Sequence, residues 1–211
     1  MSAIGILGLV IAYVIGSFPS AYLAGRMLKG VDLRTVGSGN LGTTNVYREV
    51  GAGAAFAVFV LDALKGALPA LMLPGLLGTG FTNAQASGWW AIAYGAAAIA
   101  GHAKPVFLLW RGGGKGVATA AGVFLALTPI PAVAGLVVFV LMVALTRFVS
   151  LASMLAALLL PLFEWADAGA SPAFVASAGI AIIVIWAHRS NLARIRAGTE
   201  PRFGRPAGGS S

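Results

Sequence analysis

The sequence predicts an all-α polytopic membrane protein, and three observations carry that prediction. Only 9% of the residues are charged, where a soluble domain carries roughly 25%. No Asp, Glu, Lys or Arg occurs between Gly66 and Ala103 or between Gly116 and Thr146, and spans of about 20 apolar residues cross a bilayer as helices. No stretch alternates apolar and polar residues with period two, which argues against a transmembrane barrel. The net charge of +8 could signal nucleic acid. Here, however, the cations lie beside the apolar spans, where membrane orientation is the first explanation, and no nucleic-acid partner is expected. The chain has no cysteine, which excludes a disulfide, a thiolate metal site and a thioester acyl-enzyme.

Taken in order, MSAIGILGLV lacks the basic region of a signal peptide and reads as the start of an uncleaved first span, Ala3–Ala24, with Gly16-Ser17-Phe18-Pro19 inside it. The second span, Ala52–Gly75, carries Asp62 and Lys65, three residues apart and so able to pair on one helical face as structural support. The uncharged loop Leu76–Gly88 precedes Trp89 and Trp90, residues of an interfacial belt, and a third span ends near Gly101. Val117–Thr146 would make a helix of about 45 Å against a hydrocarbon core of about 30 Å. It is therefore expected to form two spans turning at Thr128-Pro129-Ile130-Pro131. Ser150–Phe163 is the next span, Glu164 and Asp167 an acidic turn, and Pro172–Ala187 the last span. Residues 1–203 read as one integral membrane domain and residues 204–211 as a disordered tail.

Charge sets the parity. With seven spans, 13 of the 14 Lys and Arg residues fall on one side, the other being Lys65 within a span. Six spans would put the basic tail opposite the basic first loop, against the positive-inside rule. The expected topology is seven transmembrane helices, N-terminus outside and C-terminus cytoplasmic.

That topology gathers three polar segments on the cytoplasmic face. The first, GSGNLGTTNVYR at residues 37–48, combines Gly37, Gly39, Ser38, Asn40, Thr44 and Asn45 with Arg48. Glycines let the backbone approach a ligand, and exposed backbone N–H groups form nests for anions. Arg48 offers a planar fork for a phosphate. The second runs through Lys104, Arg111, Gly113, Gly114, Lys115 and Gly116, ingredients of an anion site at a helix N-terminus, although the spacing is not that of a nucleotide P-loop. The third, HRSNLARIRAGTE at residues 188–200, holds His188, Asn191, Arg194 and Glu200, the last placed to pair with a nearby arginine and hold the tail. Each alone could be a polar turn; three on one face suggest a site for more than one phosphate-like group. His102 fits a site role or a plain helix end equally. Two histidines and six acids, mostly dispersed, make no metal cluster.

With GSFPSAYLAGR (residues 16–26), VDLRTVGSGNLGTTNVYREVG (31–51), DALKG (62–66), GHAKPVFLLWRGGGKGVATAAG (101–122) and HRSNLARIRAGTE (188–200) in this order, the chain resembles a bacterial membrane acyltransferase family. That family moves an acyl chain from acyl phosphate to glycerol 3-phosphate. Two departures are Thr43, where the family often has alanine, and the basic Arg111 before the glycine run. The resemblance implies an enzyme of the bacterial cytoplasmic membrane, facing the cytoplasm, that makes 1-acyl-glycerol 3-phosphate and orthophosphate. Its partners are glycerol 3-phosphate, acyl phosphate and membrane lipid, with neither acyl-CoA nor acyl carrier protein as donor and no cofactor. Functional residues carry over to Ser38 and Arg48, to the glycines and Lys115, and to His188, Asn191 and Glu200. Direct transfer is the expected mechanism, with His188 or a substrate phosphate oxygen as the proton acceptor. A transporter for a phosphorylated anion is the rival class, though the outer loops carry no cation and no inverted repeat is visible. A lipid-binding scaffold is the second rival.

Overall fold

The computed structural model describes residues 3–79 and 84–204. Met1, Ser2, residues 80–83 of the expected loop Leu76–Gly88, and residues 205–211 of the expected tail lie outside the described residues. Among the described residues every regular element is helical. The chain divides into two compact units at Leu127 and Thr128.

The first unit contains α1 (Ala3–Gly16), α2 (Ser20–Lys29), α3 (Thr43–Glu49), α4 (Ala52–Leu76), α5 (Ala84–Ala103), a 3-10 turn (Val106–Leu108) and α6 (Val117–Leu127). α4 lies at its centre and packs against α1, α2, α3, α5 and α6. The helices α1, α4, α5 and α6 are largely apolar all round, as expected where the surrounding solvent is hydrocarbon, so on them residue size rather than polarity sorts the faces. On α1 the buried positions are Gly5, Gly8, Ala12 and Gly16, while Ile4, Leu7 and Val10 point outward. Small residues let backbones approach. A side chain at Gly16 would run into the Ala98 backbone, one at Gly66 into the Thr119 carbonyl, and one at Gly122 into the Ala63 carbonyl. Pro69 and Pro74 lie inside α4, tolerated where neighbouring helices resatisfy the backbone.

The second unit contains α7 (Pro129–Thr146), α8 (Val149–Ala168), α9 (Pro172–Ala187) and α10 (Arg189–Arg196). α8 packs between α7 and α9, and α10 touches both α8 and α9. α9 opens on Ser171, whose hydroxyl accepts from the Phe174 amide at 3.1 Å, with Pro172 in the first turn.

Among the described residues, five helical stretches are long and apolar enough to cross a membrane: Ala3–Lys29, Ala52–Leu76, Gly88–Leu108, Pro129–Thr146 and Val149–Ala168. The pair α9–α10, bent by 53°, makes a sixth if it is taken as one span. α6 has 11 residues, only about 16 Å of helix.

Two expected boundaries are corrected. The first apolar stretch breaks at residues 17–19, then resumes as α2 and runs to Lys29, five residues past the expected end. It stops at Gly30, φ 69°, where the Gly30 N–H donates to the Arg26 carbonyl and the Val31 N–H to the Gly25 carbonyl, each at 3.1 Å. An amphipathic helix need not end where its first cation appears. Glu164 and Asp167 do not form a turn but belong to the last turns of α8. Glu164 is fully buried, with one carboxylate oxygen accepting from the Thr128 hydroxyl at 2.6 Å, and an acid held in this way need not end a helix.

Candidate active site

Between α2 and α3 the backbone is held from two ends. Arg34 grips Asp32 with Nε 3.0 Å from one carboxylate oxygen and Nη2 2.6 Å from the other, while its guanidinium lies 5.0 Å above the Tyr22 ring. The side-chain hydrogen bond from Arg34 is the main reason that the Asp32 carboxyl is lowered to about 2. From α3 the buried Asn45 reaches back. Its Nδ2 donates to the Leu33 and Val36 carbonyls at 3.1 and 3.2 Å, and its Oδ1 accepts from the Ser38 amide at 2.9 Å. Gly37 and Gly39 take φ of 59° and 69°, left-handed conformations that favour glycine. Ser38 is thereby exposed at the loop tip. Thr44 and Arg48 are half-buried on α3, four residues apart and so on one face.

The second polar segment meets the first. The Leu41 amide donates to the Gly113 carbonyl at 3.1 Å, and a side chain at Gly112 would press on the Arg34 Cδ. The turn before it is strained: Leu109 and Trp110 have φ of 52° and 58°. It is tied to α1, since the Trp110 indole donates to the Tyr13 hydroxyl at 2.7 Å and that hydroxyl donates to the Lys104 carbonyl at 2.6 Å. Lys104 is exposed and Lys115 half-buried, the latter followed by Gly116 and the first turn of α6, where backbone N–H groups favour an anion.

Behind the joined loops lies a buried polar cluster. One carboxylate oxygen of Asp62 accepts from the Ser20 hydroxyl at 2.5 Å, lies 2.7 Å from Lys65 Nζ and 3.7 Å from His102 Nδ1. Lys65 also donates to the Phe18 carbonyl at 3.0 Å. A cavity of about 10 Å³ adjoins it, lined by Phe18, Ser20, Leu41, Lys65, His102 and Gly113, with room for about one water.

In the second unit Glu200 collects its neighbours. Ser150 and Asn191 donate to one oxygen at 2.7 Å each, and Arg194 donates to the other at 2.7 Å. Burial by itself would raise the Glu200 carboxyl, but these three donors outweigh it and hold it below its usual value. His188 is buried, with Nδ1 2.8 Å from the Val184 carbonyl. A carbonyl only accepts, so Nδ1 carries the proton and, in the neutral ring, Nε2 is the acceptor. The Phe203 amide closes the segment on the Arg147 carbonyl at 2.7 Å.

The glycerol-3-phosphate acyltransferase family model matches residues 6–198 of this chain. The chain belongs to that family. Relatives of that name include one from Synechococcus sp. (strain CC9902), 46% identical over 93% of this chain and 94% of its own. Another, from Thermosynechococcus vestitus (strain NIES-2133 / IAM M-273 / BP-1), is 44% identical over 99% and 100%. Among solved structures, the glycerol 3-phosphate form of PlsY, an integral membrane glycerol 3-phosphate acyltransferase, superposes with a TM-score of 0.84 at 37% identity over 95% of this chain and 96% of that one. The lysophosphatidic acid form gives 0.79 at 34% identity, over 95% of each.

In this acyltransferase-family chain the first unit brings together Gly37, Ser38, Gly39, Asn40, Thr44, Asn45 and Arg48 with Gly113, Gly114, Lys115 and Gly116 through the Leu41–Gly113 bond. His188, Asn191 and Glu200 sit in the second unit. Sequence reasoning missed the Asp62–His102 approach and the Asp32–Arg34 clamp. It also missed the loop-closing bonds of Asn45, whose two donor hydrogens are committed to backbone carbonyls. The GHAK segment, eleven residues before Gly113, was the one available signal. Among the described residues no group of three or more acids or histidines is placed to hold a metal.

Proposed function

We propose that the protein transfers an acyl chain from acyl phosphate to the C1 hydroxyl of glycerol 3-phosphate, releasing 1-acyl-glycerol 3-phosphate and orthophosphate. The observation that carries this reading is the Leu41–Gly113 joint, which sets two glycine-rich, cation-bearing loops side by side. Two substrates that each bear a phosphate need two such cradles. Solved relatives in glycerol 3-phosphate and lysophosphatidic acid forms support the acceptor and the product.

The hydroxyl oxygen attacks the acyl carbonyl carbon, the bond to the phosphate oxygen breaks, and phosphate leaves with the electron pair. Acyl phosphate is already activated, so the protein supplies positioning and cationic stabilisation. Ser38 donates a hydrogen bond, Arg48 grips a phosphate through two N–H groups, and Lys115 with the amides of Gly113, Gly114 and Gly116 holds the other phosphate. Lys104 adds positive charge at the rim, and Gly37, Gly39, Asn40 and Thr44 contribute neutral hydrogen-bond donors. Asn45 closes the loop rather than touching phosphate. His188 and Asn191 keep a role in the reaction on the strength of their motif, with His188 Nε2 or a substrate phosphate oxygen taking the proton. Glu200 holds its segment together, and Asp62 and Lys65 support the loops from behind.

The location we propose is the bacterial cytoplasmic membrane, with seven crossings that count α6 and α9 beside the five longer stretches, N-terminus outside and C-terminus inside. The one-sided distribution of cations supports it. Purified protein given acyl phosphate and glycerol 3-phosphate should yield the acylated product and phosphate, and acyl-CoA should not replace the donor. Acylation from acyl-CoA alone would overturn the donor assignment. Uptake of glycerol 3-phosphate into liposomes without acylation would overturn the enzyme.

A further inference from the structure

His102 is buried (6% exposed) and stands between two features that the sequence reading keeps apart. On one side its Nδ1 faces the Asp62 carboxylate at 3.7 Å, where Ser20 and Lys65 are also gathered. On the other side the ring edge that bears Nε2 lies directly under Gly114. A side chain at Gly114 would overlap Nε2 and Cε1, and the Gly114 amide donates to the His102 carbonyl at 3.2 Å. The cavity lined by His102, Lys65, Ser20 and Gly113 opens at the same place. The segment Gly113-Gly114 therefore rests on the imidazole edge and on the end of α5, where Gly113 abuts the Ala103 carbonyl.

We infer that His102 is a positioning residue for the glycine-rich loop: Asp62 fixes the imidazole through Nδ1, and the Nε2 edge sets the height and tilt of Gly114 beneath the bound phosphate. The inference rests on the phosphate-cradle reading of that loop. Backbone amides stabilise an anion only when several converge on it, and a small displacement of the chain spoils that convergence. Histidine suits the task because its two ends differ: one takes an orienting contact from a carboxylate, the other reaches the loop. A leucine could fill the space but could not be oriented by Asp62.

The two ends can be removed separately. Asparagine places an amide where Nδ1 stands but has nothing under Gly114. Glutamine reaches toward the Nε2 position. His102→Asn should keep the unliganded unfolding temperature within a few degrees of wild type, yet raise KM for one phosphate-bearing substrate at least tenfold. KM for the other should stay within twofold. Gly114→Ala, which pushes the loop off the ring, should select the same substrate, and His102→Gln should recover part of the loss.

An activity-free arm uses inorganic phosphate, which should raise the unfolding temperature of wild type and of His102→Gln but not of His102→Asn or Gly114→Ala. Equal changes in both KM values, a loss confined to kcat, or phosphate stabilisation undiminished in His102→Asn would overturn the inference. If His102→Asn does not fold, the comparison of Gly114→Ala with His102→Gln decides: selection of different substrates by these two overturns it. Failure of the wild type to turn over acyl phosphate and glycerol 3-phosphate would count against the proposed reaction instead, and the phosphate arm would still test His102.

Discussion

At the scale of single residues, Arg48 and Ser38 carry the sharpest expectations. Arg48→Lys keeps the charge and loses the planar fork. It should lower kcat/KM at least tenfold, about 1.4 kcal/mol of transition-state stabilisation, measured with acyl phosphate and glycerol 3-phosphate. Activity within twofold of wild type would reduce Arg48 to a nonspecific charge. Ser38 lies between two glycines and invites reading as a nucleophile, but its surroundings differ from those of one. Its amide is tied to Asn45, and the Gly37-Ser38-Gly39 spacing is not the GxSxG elbow. Ser38→Ala should lower activity by lost positioning. Enzyme incubated with labelled acyl phosphate alone should show no acylated Ser38 on peptide mapping. Stoichiometric acyl-Ser38 that glycerol 3-phosphate discharges would replace direct transfer with a ping-pong reaction.

At the scale of elements, the contacts between helices are made by small residues, and the loops are held by a few charges. Gly122 on α6 sits against the Ala63 backbone of α4. Gly122→Val should force these helices apart at a cost of about 1–3 kcal/mol, read as a lower unfolding temperature in detergent. An unchanged temperature would mean that α6 can move freely against α4. The Asp32–Arg34 clamp gives a pH signature. The carboxyl of Asp32 is depressed in the folded chain to about 2, below an unfolded value of about 3.9. Its stabilising share is therefore complete above about pH 4 and is lost as pH falls through about 2. Asp32→Asn should remove that part of the acid-induced loss of stability while leaving the slope between pH 5 and 8 untouched.

At the scale of the whole molecule, orientation in the membrane is the quantity to test. The chain has no cysteine, so single cysteines report without a background. Ala170, between α8 and α9, and Ser190, on α10, are both exposed and are separated by one apolar helix. Ala170→Cys should label from outside intact cells and Ser190→Cys only after the membrane is permeabilised. Labelling of both from the same side would remove α9 as a crossing and, with it, the proposed parity.

The sequence by itself determined the membrane class, the positions of most helices and the three polar segments, because hydrocarbon solvent leaves an uncharged run little choice but a helix. α9 lies at Pro172–Ala187 as read, and the chain breaks at Thr128-Pro129 as read. The expected span from Ala52 to Gly75 ends one residue short of α4. Motif order sufficed for the family. Only the tertiary structure decided what the polar side chains do. Asn45 and Ser38 are seven residues apart and read alike as phosphate donors, yet Asn45 spends its amide on Leu33 and Val36. Glu164 read as part of an acidic turn, whereas in the fold it lies within α8 and its partner Thr128 is 36 residues away. Likewise His102 acquires a neighbour in Asp62 forty residues earlier. The physical reason is common to all three. Hydropathy and spacing are local properties of the chain, whereas the polar neighbours of a buried polar group arrive from elsewhere in it.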